Sequence, residues 1–172
     1  MSRVARPVAI AAAVLAAQVA LVAVLYPSPA RSGFVADPWV YLEELRGGQG
    51  RMLLHPIGYH WQPVAYAFIA LVRAVWGENA GAFQWVNLAQ LVSVGFLTYA
   101  LGRRATGDPG VGFVASLLYL GSAAFYEASY WPLAGNMHLL AAQLYLVTLV
   151  VAWDVGTGRW PRVGPSLLSS SR

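Results

Sequence analysis

The sequence predicts an all-α integral membrane protein with four transmembrane helices and two juxtamembrane surface helices in the first external loop. Hydrophobic side chains make up 58% of the 172 residues and charged side chains only 10%, whereas about 25% of the residues of a soluble domain are charged. Apolar stretches alternate with short polar segments along the chain. The positions of the eleven basic residues, all of them arginines, decide how many of those stretches cross the membrane.

Composition also limits the function classes. The arginines are spread over several segments and form no basic stretch with interleaved aromatic residues, so nucleic acid is not an expected partner. The sequence contains no cysteine, which excludes disulfides, thiolate metal ligands and a cysteine nucleophile.

The first apolar stretch, residues 7–26, has no charge over about twenty residues and is long enough to span a bilayer. A cleaved signal peptide is the alternative, because Arg3 and Arg6 precede the stretch and Ser28-Pro29-Ala30 follows it. The stretch is longer than a typical signal core of about 7–15 residues and lacks a clear cleavage site. We therefore expect a retained anchor.

The polar residues that follow predict a first surface helix. Asp37 can cap a helix that Pro38 opens and that ends near Arg46, before Gly47-Gly48. Its apolar positions recur at helical spacing, as expected for a helix lying on a membrane, at Trp39, Leu42 and Leu45.

The stretch from Pro63 to Trp76 predicts a second surface helix, ended by Gly77. Its fourteen residues would extend about 21 Å, against a hydrocarbon core of about 30 Å. Arg73 lies inside it. Aromatic residues of the kind enriched at the membrane–water interface lie within this stretch or just before it: Tyr59, Trp61, Tyr66, Phe68 and Trp76. If it spanned instead, the protein would have five transmembrane helices.

The arginine distribution favours four crossings. With residues 27–79 as one external loop, Arg103 and Arg104 fall on the same side as Arg3 and Arg6, as the positive-inside rule requires. Five crossings would place Arg103 and Arg104 outside. We therefore expect the N-terminus and the C-terminus in the cytoplasm.

Three further spans complete the single membrane domain of residues 1–153: residues 80–101, 111–126 and 137–153. Residues 127–136 are expected to form an external turn, and residues 154–172 a flexible cytoplasmic tail. On the second span, Asn87 and Gln90 share a face that should contact protein. Small residues of the third span should permit close helix packing: Gly112, Ser116, Gly121 and Ser122.

From Phe34 to Trp153 the chain resembles the N-terminal module of bacterial GT-C membrane glycosyltransferases, which include protein O-mannosyltransferases and lipid A aminoarabinose transferases. The resemblance is carried by five short segments in order: Phe34-Val-Ala-Asp37-Pro38, His60-Trp61-Gln62-Pro63-Val64, Gly77-Glu78-Asn79, Arg103-Arg104-Ala-Thr-Gly107 and Glu127-Ala128-Ser-Tyr-Trp131. It implies a sugar transferase that uses a polyprenyl-phosphate-linked donor, with Asp37 as the catalytic acid of an external loop that lies flat on the membrane.

The chain departs from the family pattern where catalysis would need it. Pro38 replaces the second acid, Gln62 replaces an arginine, and Gly135-Asn136-Met137-His138 replaces a cluster with a cation and an acid. Such a transfer needs a carboxylate to activate the acceptor and cations to hold the departing phosphate. We therefore predict a truncated and degenerate module without activity, which serves as a structural or accessory subunit of a larger bacterial inner-membrane complex. An active transferase, or half of one, is the alternative, with Asp37 as acid and Arg73 as phosphate clamp.

The predicted contacts with the lipid bilayer and with other membrane protein subunits follow from the external aromatic residues and the polar residues within the spans: Tyr59, Trp61, Tyr66, Trp76, Asn87, Gln90 and His138. The three histidines, His55, His60 and His138, lie in separate segments, so no metal site is expected. No cofactor is expected either. Glu127 is interpreted as a solvated carboxylate beside Tyr130 and Trp131.

Overall fold

A computed structural model describes residues 5–27, 33–34, 38–48, 54–56, 61–122 and 131–159. Six α-helices run through these residues: α1 Ala5–Leu25, α2 Pro38–Arg46, α3 Pro63–Trp76, α4 Ala80–Thr106, α5 Pro109–Leu120 and α6 Pro132–Gly156. Three helices are long and apolar enough to cross a membrane: α1 from Pro7, α4 and α6. For the described residues, the prediction of an all-helical fold is confirmed, and the three long apolar helices agree with a membrane protein; the predicted count of four crossings is not confirmed.

Helix α4 lies at the centre of the bundle and packs against α1, α5 and α6. Helices α4 and α6 run parallel, since Asn87 bonds Asn136 near their starts and Arg104 pairs with Asp154 near their ends. Helix α1 runs antiparallel to α4, because Tyr26 clusters with Leu88.

Two ends of the bundle can therefore be named. The start of α1 and the ends of α4 and α6 lie together at the basic end, which carries Arg103, Arg104 and Arg159. The end of α1 and the starts of α4 and α6 lie at the opposite end, where α2 and α3 pack. We call it the α3 end. The segment joining α1 to α4 therefore begins and ends at the same end of the bundle.

The α3 end has its own apolar core. Helices α2 and α3 pack against the starts of α4 and α6 through nine buried residues: Leu42, Leu45, Ala65, Tyr66, Ile69, Val72, Phe83, Leu133 and Met137. Helix α3 begins at Pro63 and ends at Trp76, and the next residue, Gly77, has a φ of 65° that allows the chain to leave the helix. These boundaries confirm the predicted ends of both short helices.

Glycines bring α4 and α5 into close contact near the basic end. A Cβ atom at Gly112 would lie 2.6 Å from the Tyr99 carbonyl oxygen and 2.9 Å from the Arg103 nitrogen, both of them backbone atoms. Ser116 is fully buried beside this contact. The prediction of close packing is confirmed for Gly112 and Ser116, but it is wrong for Gly121, which is exposed and follows the end of α5.

Several helices have bounds that differ from those of the predicted spans. Helix α4 continues past residue 101 to Thr106, so Arg103 and Arg104 belong to its last turn. Helix α5 has 12 residues, about 18 Å, and residues 121–122 form a turn instead of continuing the predicted span to residue 126. Residues 123–126 lie outside the described part.

The last helix is longer at both ends than predicted. It begins at Pro132, so residues 132–136 are helical instead of part of an external turn. Proline suits this first helical position because its missing N–H has no partner there in any helix. The helix continues to Gly156, and its ion pair with Arg104 places Asp154 in the fold and not in the tail. Residues 160–172 of the predicted tail lie outside the described part.

Candidate functional site

Amide side chains join α4 to α6 at the α3 end. The Asn136 amide nitrogen donates to the Asn87 side-chain oxygen and, at 3.2 Å, to the Phe83 carbonyl. The Asn87 amide nitrogen donates to the Trp131 carbonyl at 3.1 Å. Asn87 and Asn136 are both fully buried. Because polar groups in an apolar surrounding are costly unless they are bonded, this network fixes the register between the two helices.

Gln90 extends the same network. Its amide nitrogen lies 3.4 Å from the Asn136 carbonyl oxygen and 3.4 Å from the Gln143 side-chain oxygen. The face predicted to contact protein does so within this chain. Asn87 and Gln90, both predicted to contact a partner, are therefore buried against α6 in the described structure.

A second polar cluster connects α2, α3 and the start of α4. Glu78 accepts hydrogen bonds from Arg46 at 3.0 Å and from Arg73 at 3.1 Å. Arg46 also pairs with Glu43 at 3.1 Å, and Arg73 reaches the Leu45 carbonyl at 3.4 Å. Two arginines and two glutamates therefore balance one another. The hydrogen bond from Arg46, aided by that from Arg73, holds the pKa of Glu78 below its usual value of 4.5.

This cluster determines the state of Arg73, the predicted phosphate clamp. Its guanidinium is occupied by Glu78 and Leu45 and lies on the inner side of α3.

The remaining predicted contact residues divide into exposed and buried groups. Trp61 is 63% exposed and Trp76 is 54% exposed, and His138 is also exposed. Tyr66 is 1% exposed and packs in the core of the α3 end, so it contributes to the fold and not to the surface. Tyr59 lies outside the described residues.

Helix α3 is apolar on two opposite sides. Its inner side packs on the core through Ala65, Tyr66, Ile69 and Val72. Its outer face is exposed and carries only apolar residues: Val64, Ala67, Leu71, Ala74 and Val75. A helix lying between lipid and water would expose a polar face. The outer face of α3 is therefore suited to lipid or to protein, but not to water.

A groove of about 320 Å³ runs between the start of α3 and α6. Gln62 and Val64 line one side, and His138 and Leu144 line the other. The two polar side chains lie at a largely apolar surface. This arrangement can hold an apolar side chain and give it one or two hydrogen bonds, as at a contact between membrane proteins.

The predicted catalytic candidates divide differently. Asp37, the acid of the transferase alternative, lies outside the described residues, and so do His60 and Glu127, which were not predicted to be catalytic. Within the described ranges, no three histidine or acidic side chains lie close enough to hold a metal ion. Among those same residues, Arg73 is the one predicted catalytic group that can be located, and it is in an ion pair.

Two features were not predicted from the sequence. Gln18 is fully buried in α1, although it is the one amide side chain in the apolar stretch of residues 7–26 and for that reason could have been assigned to a protein-facing position. The cavity between Arg103, Arg104, Asp154 and Arg159 joins residues of α4 to residues fifty or more positions later, and has no local signal.

The comparisons with family models, with curated proteins and with solved structures each found no match to this chain.

Proposed function

We propose that this chain is a non-catalytic structural or accessory subunit of a larger bacterial inner-membrane complex, derived from a GT-C-like module. The supporting observation is the outer face of α3. Helix α3 packs its inner side on the core and still exposes apolar side chains on the opposite side, with Val64 at 61% and Leu71 at 60%. Covering such a face with another protein removes apolar surface that water cannot solvate well.

The exposed tryptophans support a protein partner at this face. Trp61 and Trp76 lie at the two ends of α3. Tryptophan combines a large apolar area with one polar N–H, and it is enriched at protein contacts. The adjacent groove with His138 adds hydrogen-bonding capacity to the same side.

The direction of the helices supports four crossings, because α4 and α6 run parallel and residues 107–131, which include α5, join the end of α4 at the basic end to the start of α6 at the α3 end. Because α1 and α4 are antiparallel and meet at the α3 end, we favour an even number of crossings by residues 27–79. A single crossing by α3 would make α1 and α4 parallel. We place the basic end in the cytoplasm because that end holds Arg103, Arg104 and Arg159.

The transferase alternative is less well supported. It needs a cation for the phosphate of a lipid-linked sugar, and Arg73 is engaged by Glu78. Asp37, its acid, lies outside the described residues.

The proposed function is tested with a double variant that combines Trp61→Ala with Trp76→Ala. The variant and the wild type are each purified from the native membrane in mild detergent, and the proteins that copurify are compared. Both side chains are exposed, so we expect an unchanged melting temperature and loss of copurifying membrane protein. Tyr66→Phe is the aromatic control, since it keeps the buried ring and the outer surface; it should retain the partner. If the partner copurified with the double variant at the wild-type stoichiometry, α3 would not be the contact surface.

A further inference from the structure

A cavity of about 680 Å³ opens at the basic end between α1, α4 and the end of α6. Its polar part is lined by Arg103, Arg104, Asp154 and Arg159, and its apolar part by side chains that include Ala11 and Phe96. It lies at the opposite end of the bundle from α3 and from every residue used for the proposed subunit contact.

The charges in this cavity are not balanced. Arg104 is bound to Asp154 at 3.0 Å and also donates to the Ala100 carbonyl at 3.2 Å. The side chains of Arg103 and Arg159 form no hydrogen bond or ion pair with the other described residues. Three arginines and one aspartate leave a net charge of +2, carried by two guanidinium groups available to an anion.

The cavity changes from apolar to cationic along one face of α4. Phe96, Ala100 and Arg103 are spaced by four and three residues, so they lie on the same side of the helix. Ala11 of α1 faces the apolar part. A phospholipid at a bilayer surface has the same order, with acyl chains followed by a phosphate. A free phosphate ion would use the arginines alone and leave the apolar part without a role.

We infer that this cavity binds the phosphate headgroup of an anionic phospholipid, with the first part of its acyl chains against Phe96 and Ala100. The phosphodiester oxygens accept hydrogen bonds from Arg103 and Arg159, and guanidinium–phosphate bonds of this kind are charge-assisted. The Arg104–Asp154 pair holds the end of α6 beside α4 and so keeps Arg159 near the site. This inference does not depend on the proposed subunit role.

The test uses the full chain in a neutral detergent, titrated with phosphatidylglycerol or phosphatidylcholine while bound lipid is counted by native mass spectrometry. The test variant combines Arg103→Gln with Arg159→Gln. The control combines Arg31→Gln with Arg51→Gln, which removes the same charge from the segment joining α1 to α3. A third variant, Arg103→Lys with Arg159→Lys, keeps the charge but loses the planar guanidinium.

We expect phosphatidylglycerol to bind the wild type at least tenfold more tightly than phosphatidylcholine. The Gln variant should lose roughly thirtyfold, since each basic residue near an anionic surface contributes about 1 kcal/mol. The control should stay within about twofold, and the Lys variant should recover most of the affinity. Inorganic phosphate at equal concentration should not displace the lipid.

Four results would overturn the inference. One is equal losses in the test and control variants, which would show attraction by net charge alone. Another is equal binding of the two lipids. The third is displacement by inorganic phosphate, which would make the cavity a site for the free ion. Loss of binding in the Lys variant together with a lowered melting temperature would assign the arginines a structural role and also contradict the inference.

Discussion

The two ends of this bundle use charge in opposite ways. At the α3 end, Glu43 and Glu78 neutralise Arg46 and Arg73, and the surface left exposed is apolar and aromatic. At the basic end, Asp154 neutralises only Arg104, and two arginines are left over. The first end is therefore suited to contact lipid or an apolar protein surface, and the second is suited to bind an anion.

This difference shows that charged residues near a membrane need separate interpretation at each position. Arg73 and Arg103 both lie near the C-terminal end of an apolar helix. Their partners distinguish them. Glu78 follows Arg73 by five residues and reaches it across the turn after α3, whereas the one described carboxylate in the basic-end cavity is already bound by Arg104.

The largest expected effect is a loss of stability caused by a substitution at the basic end. Gly112→Ala would place a methyl group 2.6 Å from the Tyr99 carbonyl oxygen, and backbone atoms cannot move aside as a flexible side chain can. We expect a loss of about 1–3 kcal/mol in the free energy of unfolding in detergent. Gly156→Ala is the control, because its added methyl group meets no atom within 4 Å. Equal stability of the two variants would contradict the close α4–α5 contact.

The next largest effect is a loss of stability caused by a substitution at the α3 end. Asn136→Ala removes the hydrogen bonds to Asn87 and to the Phe83 carbonyl, and should cost about 1–2 kcal/mol. Thr148→Ala is the control, since its hydroxyl is exposed and bonds only the Leu144 carbonyl within its own helix. A double-mutant cycle of Asn136→Ala with Asn87→Ala should show coupling. Strictly additive losses would mean that the two amides act separately.

Local signals predicted some of these elements and not others. Pro63 and Gly77 are adjacent to the helix they limit, so the bounds of α3 could be predicted from the sequence. The start of α6 was missed although Pro132 is a start signal, because the aromatic residues before it favoured an interfacial turn.

The candidate sites could not be predicted from the sequence, because the fold brings together residues that are far apart along the chain. Asn136 bonds Asn87 across 49 positions, and Arg104 pairs with Asp154 across 50. No periodicity links positions so distant. The polar face of α4 could be predicted to meet protein, but that this protein is the chain's own α6 could not. The outer face of α3 could not be predicted because apolar residues on both sides of a short helix give no amphipathic pattern that separates them.

A smaller expected effect is the pH dependence of stability that Glu78 gives to the α3 end. Because the pKa of Glu78 is held below 4.5 in the folded protein, its contribution to stability is fully present above pH 4.5 and is lost as the pH falls through the folded value. Glu78→Gln should therefore reduce stability at neutral pH and flatten the decline at acid pH. Glu44→Gln, on the exposed side of α2, should keep the wild-type profile in thermal unfolding. An unchanged profile in Glu78→Gln would contradict the role of the cluster.

The proposed subunit role is tested most directly by photo-crosslinking in intact membranes. A photoreactive amino acid replaces Leu71, which is 60% exposed on the outer face of α3, or Leu118, which is 71% exposed on α5. Both positions are exposed leucines within apolar helices, so lipid alone would treat them alike. We expect a discrete protein adduct from Leu71 and only lipid adducts from Leu118. Lipid adducts alone at both positions would show that the outer face of α3 contacts the bilayer and would contradict the subunit role.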